Sequence, residues 1–264
     1  MQSRRGLRDN ATALRKQILE PRTQYSQLKN FLTQTSLALH PQHRLRCIIF
    51  DMDGTLTRTN QLIYESFNHI AEQYIKKRFS PKEIIAFFGP PEEEAIEAMI
   101  GPGHLDEAMP EYYRYYTHHH NELASLYPGI EELLKFVKSR GILVALFTGK
   151  GRRTTEITLA KFGIASYFDA IMTGDDVDHH KPSGDGIRKI MDKFSLRPDE
   201  VLMVGDAVAD IKAARECGVE IAAVVWDSYG KEMVMQTKTD YLYHSVDEFH
   251  RWLKDALPTS KGGT

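Results

Sequence analysis

The sequence predicts an α/β protein built on a doubly wound parallel sheet, with an all-helical segment inserted after the first strand. Three observations carry that prediction. A continuous apolar run, Cys47-Ile48-Ile49-Phe50, stops at Asp51-Met52-Asp53-Gly54-Thr55, as a buried strand does when it ends in a turn. The stretch that follows shows helical periodicity and no convincing strand. From residue 130 to residue 225, helical and extended patterns alternate, which is the pattern of a parallel sheet with crossover helices.

The elements follow in order. Residues 64–77 and 92–100 are amphipathic and helical, and 111–125 is an aromatic-rich helical stretch. After the break at Tyr127-Pro128-Gly129 come helix 130–139, strand 142–147, helix 153–162 and a short strand at 168–172. Helix 184–194, strand 200–204, helix 208–216 and strand 220–225 complete the alternation. In such sheets ligands bind at the carboxyl ends of the strands, which directs attention to the residues there.

Composition narrows the classes. With 42% hydrophobic and 27% charged residues, the 264-residue chain can form a packed core, which excludes wholesale disorder, collagen-like repeats and a membrane-embedded chain. Cys47 and Cys217 are too few for a disulfide framework or an unaided zinc site, so a reducing compartment is expected. No transmembrane segment and no secretory signal is expected. The N-terminus is Arg-rich like a transit peptide, but Pro21, many Gln and no cleavage pattern argue against that reading, leaving a cytoplasmic location as the expectation.

Charge is unevenly distributed. Residues 1–46 hold nine Lys/Arg against Asp9 and Glu20, a net of +7 that leaves −9 for residues 47–264 within the total of −2. Leu14, Ile18 and Leu19, then Tyr25, Leu28, Phe31 and Leu32, recur at helical spacing on either side of Pro21, so this basic arm is expected to be helical or partly disordered. Its sharper readings are a homo-oligomer contact or an anionic-surface contact, with no specific nucleic-acid partner indicated.

Four strand ends carry polar groups: Asp51 and Asp53; Thr148-Gly149-Lys150; Asp175 and Asp176 with Lys181 beyond; and Gly205-Asp206 with Asp210. One Asp at a strand end is as often a turn former or helix cap as a ligand. Together they form an acidic pocket that would repel itself unless filled by a divalent cation, and hard oxygen ligands suit Mg²⁺. Asp51 and Asp53, two residues apart on an extended chain, point the same way and can reach one substrate. A carboxylate can attack a phosphoryl group while a second acid handles protons, with Thr148 and Lys181 binding phosphoryl oxygens and Asp206 completing the metal site.

Phe50-Asp51-Met52-Asp53-Gly54-Thr55-Leu56-Thr57, Leu146-Phe147-Thr148-Gly149-Lys150, Lys181-Pro182 and Val204-Gly205-Asp206-Ala207-Val208-Ala209-Asp210 resemble the four ordered motifs of the haloacid dehalogenase-like (HAD) hydrolase superfamily. That resemblance implies a Rossmann-like three-layer core of residues 46–62 and 127–264 with a subclass I helical cap of residues 63–126. It implies Asp51 as nucleophile, Asp53 as general acid/base, and Thr148, Gly149 and Lys181 as phosphate binders. Magnesium would be held by Asp51, Asp206 and the backbone carbonyl of Asp53, with Asp210 in support. Ala207 departs from the Ser, Thr or Asn of many relatives without removing a catalytic group. Within the superfamily, the second aspartate favours phosphate ester or anhydride cleavage over dehalogenation.

Thr59-Asn60-Gln61-Leu62-Ile63, Phe88-Gly89-Pro90-Pro91, His118-His119-His120-Asn121-Glu122-Leu123 and Thr173-Gly174-Asp175-Asp176-Val177 further resemble the pyrophosphatase PpaX and phosphoglycolate phosphatase branch. A small phosphorylated substrate, pyrophosphate or phosphoglycolate, is the expectation that follows. A sugar-phosphate mutase of the β-phosphoglucomutase type keeps both aspartates and is the alternative; a non-catalytic binding module would be expected to have lost Asp51, Lys181 or Asp206. The loop at Gly89 and Pro90, with Lys150 and Arg152 or Arg153, is the expected specificity surface. His118, His119 and His120 cannot all ligate one ion, because consecutive helical residues point about 100° apart, so an exposed face is expected for them. Tyr112, Tyr113, Tyr115 and Tyr116 are expected to form an aromatic seam inside the cap. His179 or His180 either orients phosphate or packs the loop.

Overall fold

The computed structural model describes residues 45–257. The helices expected around Pro21 and the contact role of the basic arm therefore lie outside the described residues. The core is a six-stranded, all-parallel sheet of β1 (Cys47–Phe50), β4 (Leu143–Phe147), β5 (Ala170–Met172), β6 (Val201–Gly205), β7 (Glu220–Val224) and β8 (Tyr241–Tyr243), in spatial order β5-β4-β1-β6-β7-β8. Strand β1 lies at the centre, with Ile49 in register with Ala145 on one side and Met203 on the other. Chain order runs outward in opposite directions from it, which opens a crevice at its carboxyl end.

Both faces of β1 are buried, and alternate residues feed two separate cores. Ile48 and Phe50 pack with Leu133, Leu134 and Val137 of α5 (Ile130–Ser139) and with Phe249 and Leu253 of α10 (Val246–Ala256). Cys47 and Ile49 pack with Ile187 and Ile190 of α7 (Asp185–Phe194) and Ile211 of α8 (Val208–Glu216). Helices on both faces of a parallel sheet make the expected three layers.

Between β1 and β4 the chain forms α1 (Asn60–Ile75), α2 (Pro81–Ile85), α3 (Glu92–Ile100) and α4 (Leu105–Leu123). These helices have their own core, in which Ile63, Phe67, Ile70, Ile96 and Met99 surround the fully buried Tyr112 and Tyr116. Tyr113 and Tyr115 are only half-buried, so two of the four tyrosines make the aromatic seam. Helix α4 begins at residue 105 rather than 111: Pro110 sits inside it and forfeits one backbone hydrogen bond without ending it. The short helix α2 begins with a capping box between Ser80 and Glu83. The chain crosses between the two layers at β2 (Thr57–Arg58) and β3 (Ser125–Leu126), which pair with each other as an antiparallel ribbon.

The histidine cluster needs a correction. His118 is exposed and His119 half-buried, but His120 is fully buried where α4 meets α6 (Arg152–Phe162). Its Nε2 lies 3.3 Å from Thr158 Oγ1, and Tyr116 Oη shares the same hydroxyl at 2.8 Å. Residues beyond 225 supply two further elements, α9 (Lys231–Gln236) and β8, as well as α10. No helix among the described residues is long and apolar enough to cross a membrane.

Candidate active site

Asp51 follows directly on β1, and its backbone N–H still donates to Val204 of β6 at 2.8 Å, so the sheet itself aims the residue into the crevice. The turn beyond needs glycine at position 54. Its φ is +85°, and a Cβ there would collide with the Asp206 carboxylate. This close approach lets Thr55 Oγ1 donate to Asp206 Oδ1 at 3.1 Å. Asp206 stands at the end of β6, and Asp210 on the first turn of α8, where its Oδ2 accepts from the Ala207 N–H at 3.0 Å.

The three carboxylates of Asp51, Asp206 and Asp210 each offer an oxygen within 4.8 Å of the others, all buried. Lys181 inserts between two of them, donating to Asp51 Oδ1 and Asp210 Oδ1 at 2.7 Å each. Burial pushes the Asp51 carboxyl up to about 7, with Lys181 opposing the shift and Asp210 and Asp53 adding to it. Burial, then Asp51 and Asp210, also raises Asp206 well above the carboxylate range. Asp206 Oδ2 is buried with no hydrogen-bond partner. An all-oxygen trio with one buried, unpartnered carboxylate oxygen fits a hard divalent cation, which would supply the missing partner.

The Asp53 carboxylate is absent from this trio. Thr59 Oγ1 donates to its Oδ1 in a short contact, and Lys150 Nζ approaches its Oδ2 at 3.2 Å. The two aspartates therefore occupy different environments, one beside Lys181 and the acidic trio, the other beside a threonine and a second lysine. Thr148, at the end of β4, is buried and accepts from the Lys150 N–H at 3.2 Å. Gly149 passes under the loop before α3, so close that a Cβ would lie 3.1 Å from the Gly89 carbonyl oxygen.

Five residues singled out by the sequence serve other purposes. Arg152 is absent from the pocket wall; its guanidinium pairs with Asp176 and Glu156. Asp175 accepts from the Arg152 N–H at 2.7 Å and Asp176 caps Thr173, so this pair braces a loop and contributes nothing to the acidic pocket. Arg153 stacks over Tyr113, with the guanidinium carbon 5.1 Å from the ring centroid. His180 turns to Glu94 at 3.3 Å.

Lys150 does line the pocket, but its side chain is only 3% exposed and is held between Asp53 and Glu92, 3.2 and 3.4 Å away. Burial alone would lower its ammonium; Asp53, Tyr116 and Glu92 outweigh that and hold it well above the ordinary lysine value. Glu92, which sequence reasoning missed, also accepts from the Gly151 N–H at 2.7 Å and from Thr154 Oγ1 at 2.6 Å. Gly89 and Pro90 line the pocket, together with Asn60, Phe87, Phe88 and Tyr229, which were not anticipated.

Residues 48–224 match the family model of the haloacid dehalogenase-like hydrolases. The pyrophosphatase PpaX of Anoxybacillus flavithermus is 34% identical over 205 residues, covering 77% of this chain and 94% of that protein. That of Bacillus cereus is 31% identical over 205 residues, covering 78% and 94%. Among solved structures, a predicted phosphoglycolate phosphatase from Haemophilus somnus superposes with a TM-score of 0.69 at 24% identity, covering 81% of this chain and 98% of that one, and supports the fold. A candidate β-phosphoglucomutase from Thermotoga maritima gives 0.64 at 27% identity, covering 80% and 99%. With an acidic trio and an inserted lysine at the carboxyl end of a central parallel strand, and with relatives spanning the same sheet and helical layer, the chain belongs to the haloacid dehalogenase-like hydrolases.

Proposed function

We propose that the protein is a Mg²⁺-dependent phosphohydrolase that acts on a small phosphate ester or anhydride through a phosphorylated Asp51. The observation that carries this reading is the separation of the two aspartates: Asp51 adjoins Lys181 and the trio, while Asp53 is held apart by Thr59 and Lys150. Asp51 attacks phosphorus as the bond to the leaving oxygen breaks, and Asp53 gives that oxygen its proton. Water then attacks the same phosphorus, passing a proton to Asp53 and freeing Asp51. Thr148, the Gly149 backbone and Lys181 hold the phosphoryl oxygens, and Asp210 keeps Lys181 in place. Asp51, Asp206 and the Asp53 carbonyl would hold Mg²⁺, which offsets the pocket's negative charge. Residues 63–126 act as the cap that shields the reaction from bulk water.

Pyrophosphate and phosphoglycolate are the substrates suggested by the relatives' names. A cytoplasmic location fits the free Cys47 and Cys217. The basic arm is proposed to contact an anionic surface or a second copy of the chain. The reading is tested by phosphate release from both substrates with Mg²⁺ and after chelation, in the wild type and in Asp51→Asn. Turnover should vanish in the variant and in chelator, and an Asp51→Asn protein that still released phosphate would remove the nucleophile assignment. The likeness to the Thermotoga maritima protein favours a mutase as second reading. Glucose 1-phosphate separates the two, because a mutase interconverts sugar phosphates without net phosphate release.

A further inference from the structure

Above the phosphate-binding residues the cavity is small and its far wall is apolar. The whole space is about 150 Å³. Ile63, Phe67, Phe87, Phe88 and Ala95 of the helical layer and Tyr229 of the core form that wall. Phe88 and Tyr229 meet edge to face across the two layers, with centroids 5.9 Å apart at 84°. Among the described residues the cavity lining carries two cations and no guanidinium. Lys181 is committed to Asp51 and Asp210, and Lys150 to Asp53 and Glu92.

A second phosphate or a carboxylate on the leaving group would thus enter a pocket that already holds Asp53 and Glu92 and has no unpaired positive charge to meet it. An apolar or aromatic group would exchange water for ring faces and edges. Size adds a limit: a dry cavity of about 150 Å³ in another protein accepts one benzene ring, and here the phosphoryl group shares the space.

We infer that the cavity selects a phosphate monoester whose leaving group is uncharged, compact and apolar or aromatic on one face, in preference to pyrophosphate, phosphoglycolate or a nucleoside monophosphate. This rests on the phosphohydrolase reading above and departs from the two substrates that the relatives' names suggest. Phe88 and Tyr229 are the specificity-determining residues, because their rings meet across the two layers in the pocket wall.

Benzyl phosphate and phosphoglycolate both leave through an alcohol oxygen, so comparing them tests the ring against the carboxylate with little difference in bond reactivity. With Mg²⁺, kcat/KM for benzyl phosphate is expected to exceed that for phosphoglycolate, pyrophosphate and adenosine monophosphate by about tenfold or more. Phe88→Ala should raise KM for benzyl phosphate about tenfold with a smaller change in kcat. Phe88→Arg, which adds the missing cation at a half-buried loop position, should shift preference toward phosphoglycolate; Tyr229→Ala offers a second lesion on the core side. A wild type that prefers phosphoglycolate or pyrophosphate, or a Phe88→Ala enzyme with unchanged benzyl phosphate kinetics, overturns the inference and leaves the phosphohydrolase reading standing. Phosphate release from none of the substrates by folded protein overturns both.

Discussion

The carboxylate of Glu92, on the first turn of α3, accepts the backbone N–H of Gly151 at 2.7 Å, so the helical layer is fastened directly to the loop that carries Thr148 and Gly149. The contact depends on glycine, since a Cβ at position 151 would lie 2.6 Å from Glu92 Oε2. Lys150 extends it, 3.4 Å from Glu92 and 3.2 Å from Asp53.

Substituting Glu92 should therefore affect both stability and turnover. Glu92→Ala leaves Lys150 with one partner and the Gly151 N–H with none, and is expected to cost about 3 kcal/mol or more. Glu92→Gln keeps an acceptor for Gly151 while removing the charge beside Lys150, and should fall between the two. Thermal melts and kcat/KM in parallel check the order; a Glu92→Ala protein as stable as wild type would mean that the contact contributes nothing.

Gly54→Ala should weaken catalysis by steric means alone. Its φ of +85° is strained for any L side chain, and the added methyl would displace the Asp206 carboxylate. A loss of about 100-fold in kcat is expected, the scale set by removing an electrostatic group from a reacting centre, together with weaker Mg²⁺ affinity. Magnesium titration of activity measures it, and near-normal affinity in the variant would contradict the placement of Asp206.

His120 should make the protein acid-sensitive. Burial, followed by Lys150 and Lys161, lowers its imidazolium to about 4 from an ordinary 6.5, with Asp53 opposing, so the folded state holds the neutral ring while the unfolded state gains a proton first. Stability from this group is complete above about pH 6.5 and is lost as pH falls toward 4, by about 3 kcal/mol in all. Melting temperature against pH should fall more steeply for the wild type than for His120→Gln over that window, and parallel curves would rule it out.

Tyr112→Phe should stabilise the fold. Tyr112 is fully buried and its Oη has no hydrogen-bond partner, so the hydroxyl contributes a desolvation cost with no bond to offset it. A gain of about 1 kcal/mol is expected, read as a higher denaturation midpoint; a loss would reveal an ordered water on the hydroxyl.

The sequence made the strand-end chemistry legible because it is local. Asp51, Asp206 and Asp210 each follow an apolar run within a few residues, so strand position alone brings them together. Glu92 was not legible: it is the first of three consecutive glutamates at a helix start, where the helix dipole is explanation enough, and only the fold-back of α3 onto Gly151 singles it out. Lys150 and Arg152 looked alike as specificity residues, yet the turn into α6 sends one inward to Asp53 and the other outward to Asp176. Helix α10 did carry a start signal, Ser245 with Glu248, whose N–H donates to the serine hydroxyl at 3.1 Å, whereas β8 is three residues long and below the reach of periodicity. Tyr229 lies beyond the last strand read from the sequence, so nothing placed it opposite Phe88.

The ribbon of β2 and β3 sets what kind of movement the protein can make. Both passages of the chain between the layers are hydrogen-bonded to each other there, with Thr57 opposite Leu126 and Arg58 opposite Ser125, so the helical layer is attached at one axle rather than by two independent tethers. Asp53 is bridged to Thr57 and so sits on that axle. A swing of the helices would carry Phe88 and Glu92 through an arc while hardly displacing Asp53. The residue proposed to move protons would keep its bearing on Asp51 whether the jaws are open or shut.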